Sequence, residues 1–72
     1  MTKGKKLRDY RRARGISQQE LAEAAGLSHK SAISRREAGE IALTAAEFFD
    51  LCAAIERIVE RRAAELSPAD VL

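Results

Sequence analysis

Five polar or cationic side chains, His29, Lys30, Ser31, Ser34 and Arg35, crowd into residues 29–35, between Gly26 and Gly39. Their chemistry is that of recognition. Arg and Lys donate to phosphate oxygens and to purine acceptors, a guanidinium can donate two bonds at once, and a Ser hydroxyl donates or accepts. Catalytic chemistry lacks its parts: there is no nucleophile–His–acid set and no phosphate-cradling Gly loop. One Cys and one His cannot build a zinc site, and a single Cys52 cannot form an internal disulfide. The reading is therefore a non-enzyme with neither cofactor nor metal.

Two short helices around Gly26 would position these side chains. The first opens on a capping box, Ser17-x-x-Glu20, and spaces Leu21, Ala22 and Ala25 at helical intervals. The second is expected to start at Ser28, to present the polar residues outward, and to end at Gly39 as its C-cap. Two helices joined by a Gly-containing turn, the second polar and cationic, form an arrangement suited to the DNA major groove. Upstream, residues 1–6 read as a disordered basic start. A first helix follows from about Lys5 to Arg14, with Leu7 and Tyr10 inward and a stop at Gly15.

Charge is distributed unevenly along the chain. From Lys3 to Arg36 ten Lys or Arg accompany three acids, a net of +7; from Glu37 to Leu72 three Arg accompany eight acids, a net of −5. The split implies a basic surface turned to a polyanion and an acidic half turned elsewhere. With 72 residues the chain allows one small core, which makes a dimer a natural expectation. No apolar run approaches the about 18 residues of a membrane span. The N-terminus carries no signal-peptide pattern, so a reducing cytoplasm is the expected compartment.

Thr44-x-x-Glu47 is a second capping box. Beyond it Phe48, Leu51, Cys52, Ile55, Ile58, Val59 and Leu66 recur at steps of three and four, with one wider gap, and neither Gly nor Pro intervenes from Ala42 through Ser67. The stripe makes Cys52 a packing residue. As one helix, residues 44–66 would span roughly 34 Å. Its far half would then pack on a second subunit through Ile55, Ile58, Val59, Arg62 and Leu66; the other reading is a break near Ala54 with the last helix folded back. Phe49 lies off the stripe, half exposed or in that interface. Ser67-Pro68-x-Asp70 has the form of a helix start and is expected to be a frayed end. With no period-two run anywhere, the chain reads as all-α, with four to five helices in one domain over residues 1–72.

The stretch LRDYRRARGISQQELAEAAGLS…ISRREAGE resembles the Cro/lambda-repressor-like, Xre-type helix-turn-helix domains, over residues 7 to about 55. The resemblance implies a lambda-repressor-like fold with residues 17–38 as the helix-turn-helix and a long C-terminal helix. By position it makes Lys30, Ser31, Ser34 and Arg35 base readers, with Arg35 the best suited to guanine O6 and N7. It places Gln18 on the DNA backbone, where the N–H groups of a helix N-terminus favour a phosphate, with Gln19 beside it. Arg8, Arg12 and His29 are further phosphate candidates, as is Arg14. Arg11 and Glu37 match a structural salt bridge between the first helix and the end of the recognition helix.

Three departures stand out. Between Gly26 and Ile33 the chain has one residue more than the family pattern, to be absorbed by the turn or by the first turn of the recognition helix. Arg36 stands where an apolar residue is usual, and either snorkels along the core edge or, the favoured reading, contacts phosphate. The stripe after Ala54 replaces a Gly-containing turn. The function implied is a sequence-specific DNA-binding transcriptional regulator, a homodimeric repressor on an inverted repeat, of bacterial or phage origin. The rivals are an antitoxin whose acidic C-terminal half binds a toxin as well as DNA, and a protein-interaction module on the same fold.

Overall fold

The computed structural model describes residues 2–66, and they form four helices: α1 (Lys3–Ala13), α2 (Gln18–Ala24), α3 (Ser31–Ala38) and α4 (Ala45–Glu65). No strand occurs among the described residues. The fold is all-α, a helix-turn-helix followed by one long unbroken C-terminal helix. The expected frayed end at Ser67-Pro68-x-Asp70 lies outside the described residues.

Each helix begins where the sequence provides an acceptor for its orphan N–H groups. Thr2 Oγ1 accepts from the Lys5 N–H at 3.2 Å and starts α1 at Lys3. The expected disordered stretch is therefore helical from Lys3 onward, ahead of the anticipated Lys5. Tertiary packing adds to the cap: Gly4 is buried against the end of α3, so close that a Cβ there would sit 2.3 Å from the Arg36 carbonyl oxygen and 2.8 Å from that of Glu37. Both capping boxes form. Ser17 Oγ accepts from the Glu20 N–H while Glu20 accepts from the Ser17 N–H, and Thr44 and Glu47 repeat the exchange.

Gly26 and Gly39 lie at positive φ, +73° and +82°, and turn the chain out of α2 and α3. Helix α3 starts at Ser31, not at Ser28. The additional residue of this chain is thus taken up by the turn, which runs through Leu27, Ser28, His29 and Lys30.

Helices α3 and α4 each pack on both α1 and α2. Leu7, Ile16, Leu21, Ala22, Ile33, Leu51, Ala54, Ile55 and Ile58 make the core, with Tyr10, Leu43, Phe48, Cys52 and Val59 half-buried around it. Burial pushes the Cys52 thiol pKa up, which keeps it a neutral packing group. The far half of α4 folds onto its own chain as far as Arg62. Ile58 is 1 % exposed within the chain's own core, and Arg62 reaches back to the Arg14 and Gly15 carbonyls and to Glu20, gripping the loop between α1 and α2. Ile55 and Ile58, expected at a subunit interface, are core residues instead: they lie on the inner face of α4, in the same buried cluster as Ile16 and Leu21, where α4 packs on α1 and α2. Val59 is half-buried on the same core, whereas Leu66 is 66 % exposed. Phe49, 69 % exposed, packs edge-on to Phe48 and otherwise meets solvent.

Candidate nucleic-acid interface

Ile33 and Glu37, one turn apart on α3, are both buried, and this sets the helix's rotation. Ile33 is held by the core. Glu37 accepts from Arg11 Nε and Nη2, both at 2.8 Å, and from the Gln18 side-chain amide at 3.2 Å; Arg11 Nη1 donates to the Ile16 carbonyl at 2.8 Å. One carboxylate thereby ties the end of α3 to α1 and to the first residue of α2. The pair is bidentate and nearly dry, with side chains 7 % and 3 % exposed.

With that flank inward, the 100° step of a helix turns Ser31, Arg35 and Ala38 outward along one line, with Ser34 to one side and Lys30 one turn before it. Lys30 and Arg35 are exposed, and neither has an acid within 4 Å among the described residues. Ser31 and Ser34 are half-buried. The contrast with other cations of the basic half is sharp: Arg11, Arg14 and Arg36 pair with Glu37, Glu56 and Glu47, all from the acidic half. Neutralisation across the split thus spares the outward line of α3.

The expected phosphate contacts divide. Arg12 is exposed and unpaired among the described residues. Arg8 lies 3.7 Å from Asp9, a loose pair on the surface of α1. Gln19 bonds Glu23 one turn on, at 3.1 Å. The Gln18 amide is directed at Glu37, so it braces α3 at the same place where the α2 N-terminus opens. Arg36, expected on phosphate, is engaged within the chain instead. Its guanidinium donates to the Ala32 carbonyl at 2.7 Å and to Glu47 at 3.3 and 3.4 Å, because its place on α3 turns it toward the start of α4 and away from the outward line. The snorkelling alternative describes it better.

His29 Nδ1 accepts from the Ser31 N–H at 3.1 Å and lies 3.0 Å from Ser31 Oγ. Lys30, the residue at the N-cap, makes no side-chain cap bond, so the imidazole supplies it from one residue earlier. Lys3, Lys5 and Lys6 form a further cationic surface. They are exposed on the first turns of α1, and Gly4 between them rests on the end of α3. Only the packing of Gly4 reveals this, since glycine near a chain start reads as a helix breaker.

A helix clamped by a buried ion pair, with its outer line cationic and free and a short capped helix before it, defines a DNA-binding helix-turn-helix protein. The helix-turn-helix family model matches residues 7–57, and the chain belongs to this Cro/C1-type family. It is a DNA-binding regulator of that general kind. No curated protein and no solved structure matches it. No described helix is long and apolar enough to cross a membrane.

Proposed function

We propose that the chain is a transcriptional repressor that reads an inverted-repeat operator as a homodimer, with α3 as the recognition helix. The observation that carries this reading is the state of Lys30 and Arg35: exposed, without acidic partners among the described residues, on a helix whose other flank is immobilised by Arg11 and Glu37. A guanidinium held free on a rigid helix is the group best matched to guanine O6 and N7. In this reading Arg35, Lys30, Ser31 and Ser34 face base edges. Arg12, Arg8, Gln19 and His29 lie nearer the phosphates.

Two copies related by a two-fold axis would set their α3 helices about 34 Å apart, in successive major grooves on one side of the duplex. Phe49 on α4 and Leu66 at its C-terminal end, large apolar side chains that the single chain leaves uncovered, are the sites for the partner subunit. Repression follows from occupancy of promoter DNA.

The test is selection from random and genomic DNA at near-physiological salt, followed by sequencing. Recovery of a short inverted repeat is expected. Uniform binding that collapses steeply with salt and yields no motif would mean that the basic surface acts without base reading, and would end this proposal.

A further inference from the structure

His29 and Ser31 share a proton arrangement that the two hydrogen bonds between them determine. The Ser31 backbone N–H lies 3.1 Å from His29 Nδ1, and an N–H can only donate. Nδ1 is therefore an acceptor, and the neutral ring carries its proton on Nε2. Ser31 Oγ lies 3.0 Å from the same nitrogen. Facing a nitrogen without a proton, the hydroxyl can only be the donor in that contact, sharing the ring nitrogen's one lone pair with the backbone N–H in a three-centre bond.

The consequence reaches the outer surface of α3. A Ser hydroxyl has one hydrogen and two lone pairs. With the hydrogen turned back to His29, what Ser31 presents outward is lone pairs alone. From these contacts we infer that His29 makes Ser31 an acceptor-only reader, selective for a base that shows an amino group in the major groove: adenine through N6 or cytosine through N4. Guanine and thymine, which offer acceptors at the corresponding edge, are rejected because two acceptors face each other. His29 is a positioning residue here. It touches no base in this scheme, and it acts by orienting its neighbour's hydroxyl while capping the first turn of α3. The inference rests on the reading of α3 as the base-reading helix and adds the hydrogen-bond polarity of one of its positions.

The experiment is the same selection from random DNA, with the full chain. It compares the wild type with Ser31→Ala, His29→Ala and His29→Asn. In the wild type the position governed by Ser31 should hold adenine or cytosine. Ser31→Ala should erase that preference, by roughly threefold to tenfold, and leave the other positions in place. His29→Ala frees the hydroxyl to donate, so guanine and thymine should enter at that one position. Asn places Oδ1 where Nδ1 stood, retains both acceptor roles, and should restore the wild-type choice. A wild-type circular dichroism spectrum and an unchanged motif at the other positions check that α3 remains folded in His29→Ala.

A motif that is unchanged in Ser31→Ala overturns the inference, and so does guanine or thymine at the Ser31-dependent position of the wild type. Unaltered adenine or cytosine preference in His29→Ala removes His29 from it. These results leave the role of α3 standing. A wild-type selection without any motif overturns that role itself.

Discussion

At the scale of single residues, two arginines of α3 and one of α1 show how burial decides a side chain's task. Arg11 is buried on Glu37, Arg36 leans on a half-exposed Glu47, and Arg35 stands free. Removing one partner of a buried pair strands a charge at low dielectric, so Glu37→Gln should lower unfolding stability by about 3–5 kcal/mol. Arg36→Ala, which breaks a partly solvated pair, should cost at most about 1 kcal/mol. Urea denaturation of the two variants separates them; equal losses would contradict the burial argument. Arg35→Ala should leave stability unchanged and relax base preference at one operator position by about 1–3 kcal/mol. An equal loss of binding on every sequence would instead place Arg35 on phosphate.

At the scale of elements, α1 and α3 meet at Gly4, where two physical effects oppose each other. Helix propensity favours Gly4→Ala by about 1 kcal/mol. The new Cβ, however, would meet two carbonyl oxygens of α3 inside van der Waals contact, at 2.3 and 2.8 Å, and a backbone cannot swing aside as a side chain can. Overpacking of this kind costs about 1–3 kcal/mol, so the net change should be a loss, read as a lower melting temperature. A gain would mean that α1 shifts freely against α3.

The capping boxes give a second element-scale expectation. Glu20 and Glu47 titrate below their ordinary 4.5, each chiefly because the cap residue's N–H, of Ser17 and Thr44 respectively, bonds the ionised carboxylate, with Arg62 and Arg36 adding to the effect. A carboxyl lowered in the folded chain binds more protons when unfolded. Its contribution is complete above about pH 4.5 and fades as pH falls through the folded values. Melting temperatures should fall on acidification across that range. Glu20→Gln with Glu47→Gln, which keeps the cap bonds but cannot titrate, should flatten the acid limb.

For the whole molecule, α4 does two things with one helix. Its inner face closes the core through Leu51, Ala54, Ile55 and Ile58, and Arg62 locks the α1–α2 loop. Ile58→Asp should therefore unfold the chain outright. Phe49→Asp with Leu66→Asp should keep the melting temperature and, in the proposed homodimer, yield monomers in sedimentation. A double variant that stays dimeric would move the subunit contact elsewhere.

Local signals carried the elements of this protein. Ser17-x-x-Glu20, Thr44-x-x-Glu47, Gly26 and Gly39 mark helix ends through bonds and dihedrals confined to a few residues, and a three-to-four periodicity marks α4 over its length. The charge split and the polar line from His29 to Arg35 were legible for the same reason. What the sequence could not rank was competition among partners far apart in the chain. Arg35 and Arg36 are adjacent and alike, and only the rotation imposed on α3 by Ile33 and Glu37 sends one to solvent and the other to Glu47. An apolar stripe likewise records that a face is covered, not by what. That Ile55 and Ile58 are buried in the chain's own core, with Ile16 and Leu21, follows from the packing of α4 on α1 and α2, which is a property of the packed fold alone.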